Sequence, residues 1–318
     1  MKRLGNLYEK ICDINNLYLA DTLAQRGKSN QWGVIVHNRK KDQNLFELQN
    51  MLLDKTFKTS QYTVFKVYEP KEREVFRLPY YPDRIVHYAI MNILEPIFVS
   101  TFTADSYSCI KGKGIHAALE AVKLSLKDKP GTEYCLKFDI TKFYPSISHQ
   151  VLKDLIRKKI KDNQLLWLID EIIESAPGLP IGNYLSQYFA NFYLTCFDHW
   201  LKEQKLVKYY FRYADDIVIL APNKEYLHQI LSDCRQYFQE KLKLQIKGNY
   251  QIFPVAARGI DFVGYKCYHT HTLLRKSIKK RFARAVKAGK TKSIPSYKGW
   301  AMHANSKNLI RKLLNETI

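Results

Sequence analysis

Two apolar runs meet at a pair of carboxylates. Lys208-Tyr-Tyr-Phe-Arg-Tyr213 is aromatic, Ile217-Val-Ile-Leu220 is β-branched and aliphatic, and only Ala214-Asp215-Asp216 separates them. Such runs on both sides of a short polar turn predict a β-hairpin. Adjacent acids at its tip repel each other, and the expectation is that they lack local cationic partners. A divalent cation, which prefers hard oxygen ligands, would then be their natural counter-charge. Taken alone, the turn also reads as a solvated Asp-Asp loop.

A second carboxylate sits in Lys137-Phe-Asp139-Ile-Thr-Lys-Phe-Tyr144-Pro-Ser. Asp139 ends an apolar strand expected over 133–140, where a buried acid is costly without compensation. If that strand lies beside the hairpin, Asp139, Asp215 and Asp216 converge at one end of a sheet. Three carboxylates can hold two Mg²⁺ about 4 Å apart, with Mn²⁺ as the substitute ion. A turn acid or helix cap is the other reading of Asp139 alone. Of the aromatic pair Phe143 and Tyr144, one can close a nucleotide pocket while the other belongs to the core. In Gly178-Leu-Pro-Ile181-Gly182-Asn-Tyr-Leu-Ser186-Gln187, glycine allows close backbone approach just before a helix N-terminus that suits phosphate.

The coarse order of elements supports one sheet. Helical spacing is expected from Leu4 to Gln25, a strand over Thr63–Tyr68, and a basic turn at Pro70-Lys-Glu-Arg-Glu. Asp83 is placed to cap a helix carrying Ile85, Val86, Ala89, Ile90 and Ile93 on one stripe. Further helices are expected near 148–161, 164–175, 184–202 and 225–242, with a return to strands over 251–268. Strand, helices, hairpin, helix, strand is the order of a split βαβ, ferredoxin-like sheet in an α+β fold.

Composition narrows the partner. The 318 residues carry a net charge of +21 and are 46% hydrophobic. That is enough for a sizeable core and points to a polyanion, nucleic acid ahead of acidic lipid. From Arg275 to Lys292 there are nine basic residues and no acidic one. On a helix, Ile278, Phe282, Ala285 and Val286 would pack, leaving Lys276, Lys280, Arg284 and Lys287 as a basic ridge for duplex backbone. The six cysteines show no metal spacing and read as buried thiols in a reducing compartment; His269 and His271 read as surface or packing residues. No apolar run approaches the about 18 residues of a membrane span, and the start lacks a signal-peptide core, so a cytoplasmic protein is expected.

Together, Asp139, Gly182, Tyr213-Ala-Asp-Asp216 and Arg258-Gly-Ile-Asp-Phe-Val-Gly264-Tyr follow the order of palm motifs in reverse transcriptases. The chain resembles that family from about Val67 to its C-terminus. The resemblance implies a right-hand polymerase with fingers and N-terminal helix over 1–132, palm over 133–268 with inserted finger helices near 148–178, and thumb over 269–318. It implies an RNA-directed DNA polymerase using template RNA, an RNA–DNA duplex and deoxynucleoside triphosphates. Asp139, Asp215 and Asp216 would be catalytic, with the Ile140 carbonyl as a further metal ligand.

Arg73 with Pro82-Asp83-Arg84 looks like the first finger motif, and Ser106-Tyr-Ser-Cys-Ile-Lys111-Gly-Lys113-Gly-Ile-His116 like the second, whose basic residues meet the triphosphate. Phe143, Tyr144, Ile181, Gly182 and Gln187 would complete the nucleotide pocket, and Gly264 and Arg275 would join the ridge on the duplex. No RNase H or maturase zinc segment is expected after the thumb. The pattern IGxxxSQ, with His269-Thr-His-Thr-Leu-Leu-Arg275-Lys-Ser277, is similar to diversity-generating retroelement enzymes. That likeness implies error-prone copying of a repeat RNA, worst opposite adenine, with a small basic accessory protein. Defence-associated reverse transcriptases share parts of the pattern, and an idle nucleic-acid-binding module is the alternative from another class.

Overall fold

The computed structural model describes residues 3–68 and 72–314. They form two compact units, each assembled from three stretches of chain: 1–102, 142–196 and 239–244 in the first, and 103–141, 197–238 and 245–318 in the second.

The first unit is mostly helical. The expected helix from Leu4 to Gln25 is broken at Asp13, whose extended backbone ends Tyr8–Cys12 and whose carboxylate caps Ile14–Ala24. Helices Trp32–Asn38 and Lys41–Leu53 follow. Strands β1 (Thr63–Tyr68) and β2 (Glu72–Arg77) pair antiparallel as an exposed ribbon. Of the basic turn expected between them, Glu72-Arg-Glu74 is strand, and Pro70-Lys71 lies outside the described residues. Asp83 does not cap the helix Ile85–Val99. It is buried in the turn before that helix and accepts a hydrogen bond from the Ser60 amide at 2.9 Å. Ile85, Val86, Ala89 and Ile90 form the expected buried stripe. The helices expected near 148–161 and 164–175 run His149–Lys159 and Asn163–Glu174, capped by Ser148 and Asp162.

The second unit holds the predicted sheet. Strands β3 (Tyr134–Asp139), β4 (Tyr209–Tyr213), β5 (Asp216–Ala221) and β6 (Gln251–Pro254) are ordered β4-β5-β3-β6, all antiparallel. With helices between β3 and β4 and helix Lys224–Tyr237 between β5 and β6, this is the split βαβ order. Strand β5 is buried from Ile217 to Ala221, as expected of a strand covered on both faces. Val218 and Leu220 join the core with Leu119, Val122 and Phe211, and the alternating Ile217 and Ile219 are buried on the other face.

Past β6, a helical turn (Val255–Arg258) interrupts the expected strands before β7 (Ile260–Phe262), β8 (Tyr265–Cys267) and β9 (Thr272–Leu274) form a small antiparallel sheet. Residues 103–132, expected with the fingers, lie in this unit because helix Ile115–Ser125 packs on β4 and β8. Helices Lys276–Lys287, Ile294–Met302 and Lys307–Leu314 complete it.

Cys12, Cys135, Cys234 and Cys267 are buried as expected, whereas Cys196 is exposed. His269 lies against Thr132, and His271 stacks on Tyr268, as packing residues. Among the described residues, no helix is long and apolar enough to cross a membrane.

Candidate active site

The hairpin places its acids through register. Tyr213 pairs with Asp216 across a two-residue turn in which Ala214 adopts φ 55°, and Asp216 pairs with Asp139 on the neighbouring strand. Asp139 and Asp216 are therefore cross-strand partners, with Asp215 next to them at the tip. After Asp139 the chain bridges Ile246 through Ile140; this bridge uses the Asp139 carbonyl and the Thr141 amide and leaves the Ile140 carbonyl out.

Two lysines correct the expectation that these acids lack cations. Lys137 Nζ lies 3.1 Å from both oxygens of Asp216 and also donates to the Asp261 carbonyl. Lys247 Nζ lies 3.2 Å from Asp139 Oδ2. Lys137 was readable in principle: it stands two residues before Asp139 and so projects from the same face of β3. Even so, compensation is incomplete. Asp216 Oδ1, although 3.1 Å from Lys137 Nζ, is buried and meets no donor in hydrogen-bonding geometry. Burial pushes the Asp216 carboxyl up to about 6, Lys137 opposes this, and the charges of Asp139 and Asp215 add to it.

Among the described residues, no three His, Cys, Asp or Glu side chains are drawn together tightly enough to hold a metal as they stand. The donor set nevertheless suits a hard divalent cation: carboxylates on adjoining strands, with Lys137 of β3 and Lys247 of the segment before β6 beside them as cations that a metal ion can replace.

A buried network that the sequence did not reveal holds the tip. Arg212 and Asp198, both fully buried, form a two-pronged ion pair at 2.8 and 2.5 Å. Tyr210 Oη and Ser106 Oγ also donate to Asp198, and Arg212 Nη1 donates to the Ala214 carbonyl at 3.2 Å. The guanidinium thus fixes the turn residue that precedes Asp215. Ser106 also forms a parallel bridge with Arg212, which sets the segment leading to Lys111 along β4.

The remaining candidates divide between the units. In the second, Lys111 is exposed, but Lys113 Nζ donates to the carbonyls of Thr103, Ala104 and Ser106, so its donors are committed to its own loop. Gly264 is buried at φ +90° with Trp300 over it, and an added Cβ would lie 2.2 Å from that ring. Arg275 is paired with Asp261 at 2.5 Å. Lys276, Lys280, Arg284 and Lys287 are exposed along helix Lys276–Lys287, whose Phe282 and Ala285 are buried, as the stripe predicts.

In the first unit, Phe143 is the inward aromatic, 3% exposed, and Tyr144 is half-buried against its edge. Ile181 is half-buried, and its carbonyl accepts from the Phe76 amide at 2.8 Å. Gly182, at φ +116°, has no room for a side chain, since a Cβ would meet the Phe76 carbonyl at 2.9 Å. Gln187 and Arg73 are exposed. Arg84 is half-buried, and burial followed by the charge of Arg77 lowers its pKa.

Comparison with known proteins agrees with this geometry. The family described as "Reverse transcriptase (RNA-dependent DNA polymerase)" matches residues 69–267. The chain is 26% identical over 259 residues to Protein YkfC of Escherichia coli, covering 66% of each chain. It is 26% identical over 147 residues to the group II intron-encoded protein LtrA of Lactococcus lactis, covering 43% of this chain and 24% of that one. Telomerase of Candida tropicalis, solved with a fragment of telomeric RNA, superposes with a TM-score of 0.51 at 13% identity, over 70% of this chain and 47% of that one. Telomerase of Candida albicans gives 0.52 at 11% identity over 86% of this chain and 61% of that one. The fold is thus the α+β fold of right-hand polymerases. The chain spans about two thirds of the bacterial relative's length and a quarter of the intron protein's.

Proposed function

The chain belongs to the reverse transcriptase family, and from that membership we propose that it copies RNA into DNA. The observation that carries this reading is the register of Asp139 opposite Asp216, with Asp215 adjacent and one buried carboxylate oxygen left without a hydrogen bond. Asp139, Asp215 and Asp216, with the Ile140 carbonyl, would hold two Mg²⁺. When bound, these ions supply charge stabilisation for attack of the primer 3′-hydroxyl and departure of pyrophosphate. The Arg212–Asp198 pair holds the tip in place, and Lys137 and Lys247 offset part of the charge of the acids in the absence of ions.

Arg73, Arg84 and Lys111 would serve the triphosphate, and Tyr144 the sugar. Ile181, Gly182 and Gln187 would lie near the nascent pair. The exposed ridge of Lys276, Lys280, Arg284 and Lys287 would follow the duplex backbone. In this reading, residues 1–132 serve as fingers with the N-terminal helix, 133–268 as palm with inserted finger helices near 148–178, and 269–318 as thumb.

The finer proposal is an error-prone enzyme of a diversity-generating retroelement, supported by Ile181-Gly182 and Ser186-Gln187, working with a small basic accessory protein. Asp215→Asn tests the chemistry. Purified protein with Mg²⁺ and a primed RNA should lose nucleotide addition while keeping template affinity; full activity would overturn the assignment.

A further inference from the structure

Between Asp21 and Asp42 the chain carries five Lys or Arg and no acid. Lys41 is paired with Asp21 at 2.7 Å, while Arg26, Lys28, Arg39 and Lys40 form no ion pair among the described residues. The helix Trp32–Asn38 is anchored from behind: Val34 and His37 are buried, His37 stacks on Tyr81, and Gly33 lies against Tyr80. Its outer face is therefore held toward solvent. Trp32, Ile35 and Val36 there are 71%, 40% and 43% exposed, and the Arg39 guanidinium lies 5.8 Å from the Trp32 ring. A large exposed indole carries a hydration cost with no packing return, and four cations without an ion pair, Arg39 against the ring and Arg26, Lys28 and Lys40 close by in the chain, repel one another. Lys28, half-buried just before this helix, has its pKa lowered by burial and then by the charge of Arg84.

We infer that this face is a platform for unpaired RNA, in which a base stacks on Trp32 while Arg26, Lys28, Arg39 and Lys40 take the adjoining phosphates. An aromatic plane next to a basic track fits a single strand, whose bases are free to stack; a duplex keeps its base faces inside. A basic protein partner would meet charge of its own sign. The platform lies outside the residues matched to the family, 69–267. Naming the bound strand as the template rests on the proposed function; the binding of unpaired RNA does not.

Anisotropy of a labelled oligouridine and of a blunt RNA–DNA hybrid, measured with the full-length protein, tests this. Trp32→Ala should weaken oligouridine binding roughly 5- to 150-fold, the equivalent of one lost base stack at ~1–3 kcal/mol, and leave hybrid binding unchanged. Trp32→Phe should recover most of the loss. Arg39→Gln with Lys40→Gln should lower the slope of log affinity against log salt by about 1.4, near 0.7 per phosphate on a single strand.

Wild-type oligouridine affinity in Trp32→Ala would overturn the inference and leave the face to a protein contact. Equal weakening on the hybrid would overturn it too. Asp215→Asn separates the two readings: an active Asp215→Asn enzyme removes the polymerase assignment, whereas only the Trp32 series bears on the platform.

Discussion

Asp21 in the first unit is fully buried and Asp216 in the second is half-buried, and the fold treats these two acids in opposite ways. Burial alone would push the Asp21 pKa up, but hydrogen bonds from His37, Lys41, Tyr80 and Gln25 outweigh it and hold that carboxyl well below the usual range. Asp216 is met by Lys137, which pairs with both oxygens but hydrogen-bonds only Oδ2, and it is pushed up to about 6 by burial, with two further acids adding to the shift. An acid met on every side is structural. An acid whose charge the chain leaves partly unmet is poised for a cation that the chain does not encode.

The largest effect should come from Asp216→Asn. Nucleotide addition should fall at least roughly a thousandfold, since a metal clamp contributes several kcal/mol and each 1.4 kcal/mol is tenfold. Stability of the metal-free protein at neutral pH should hold or rise, because the substitution removes a buried charge that is poorly compensated. Primer extension and chemical denaturation in a chelator read the two quantities. A marked loss of stability would break the contrast by showing that Asp216 is structural after all.

Asp198→Ala should behave in the reverse manner. It leaves Arg212 buried and unpaired, which costs about 3–5 kcal/mol, and any loss of activity should follow the loss of fold. Asp21→Asn is milder, at about 1.5–3 kcal/mol at neutral pH for lost charge-assisted hydrogen bonds. Because folding lowers the Asp21 pKa, its contribution is present above the ordinary value of 3.8 and disappears as pH falls through the folded value. Denaturation curves against pH should therefore show a flatter acid limb in Asp21→Asn than in wild type. Identical limbs would mean that Asp21 is not the acid that the N-terminal helices depend on.

The sequence made the hairpin and the convergence of its acids visible, because alternation and a two-residue turn fix a register within a few residues of each carboxylate. It concealed the groups that support them. Asp198 and Arg212 are 14 residues apart, and a fully buried arginine leaves no mark in a hydrophobicity pattern. Lys247 reaches Asp139 from 108 residues away. The motif around Gly264 does not show why a glycine stands there; the Trp300 ring that leaves no room for a Cβ comes 36 residues later. Asp83 had the composition of a helix cap, but its partner is the Ser60 amide, a tertiary contact. Local pattern predicts elements and their pairing; compensation of buried charge depends on distant chain.

The smallest expected effect lies in the first unit, where backbone and packing set the proposed pocket more than charge does. The Ile181 carbonyl is tied to the Phe76 amide, and Gly182 presses against the Phe76 carbonyl with no room for a Cβ, so the position of the Ile181 side chain is fixed by the β2 edge. A branched Cβ adds stiffness, and the side chain offers only apolar contact to a nascent pair. If Ile181 lies against the nascent pair as proposed, a mispaired nucleotide forfeits no hydrogen bond here that a correct one would keep. Ile181→Gln restores that discrimination on an unchanged backbone. About 1.4 kcal/mol of added selectivity would lower misincorporation roughly tenfold, with the gain greatest opposite template adenine and total synthesis little changed. Sequencing cDNA copied from one defined RNA by both proteins measures it. A large drop in synthesis would show that the first unit shares in the chemistry, and equally low error rates in both proteins would remove the mutagenic retroelement reading while leaving the carboxylate site untouched.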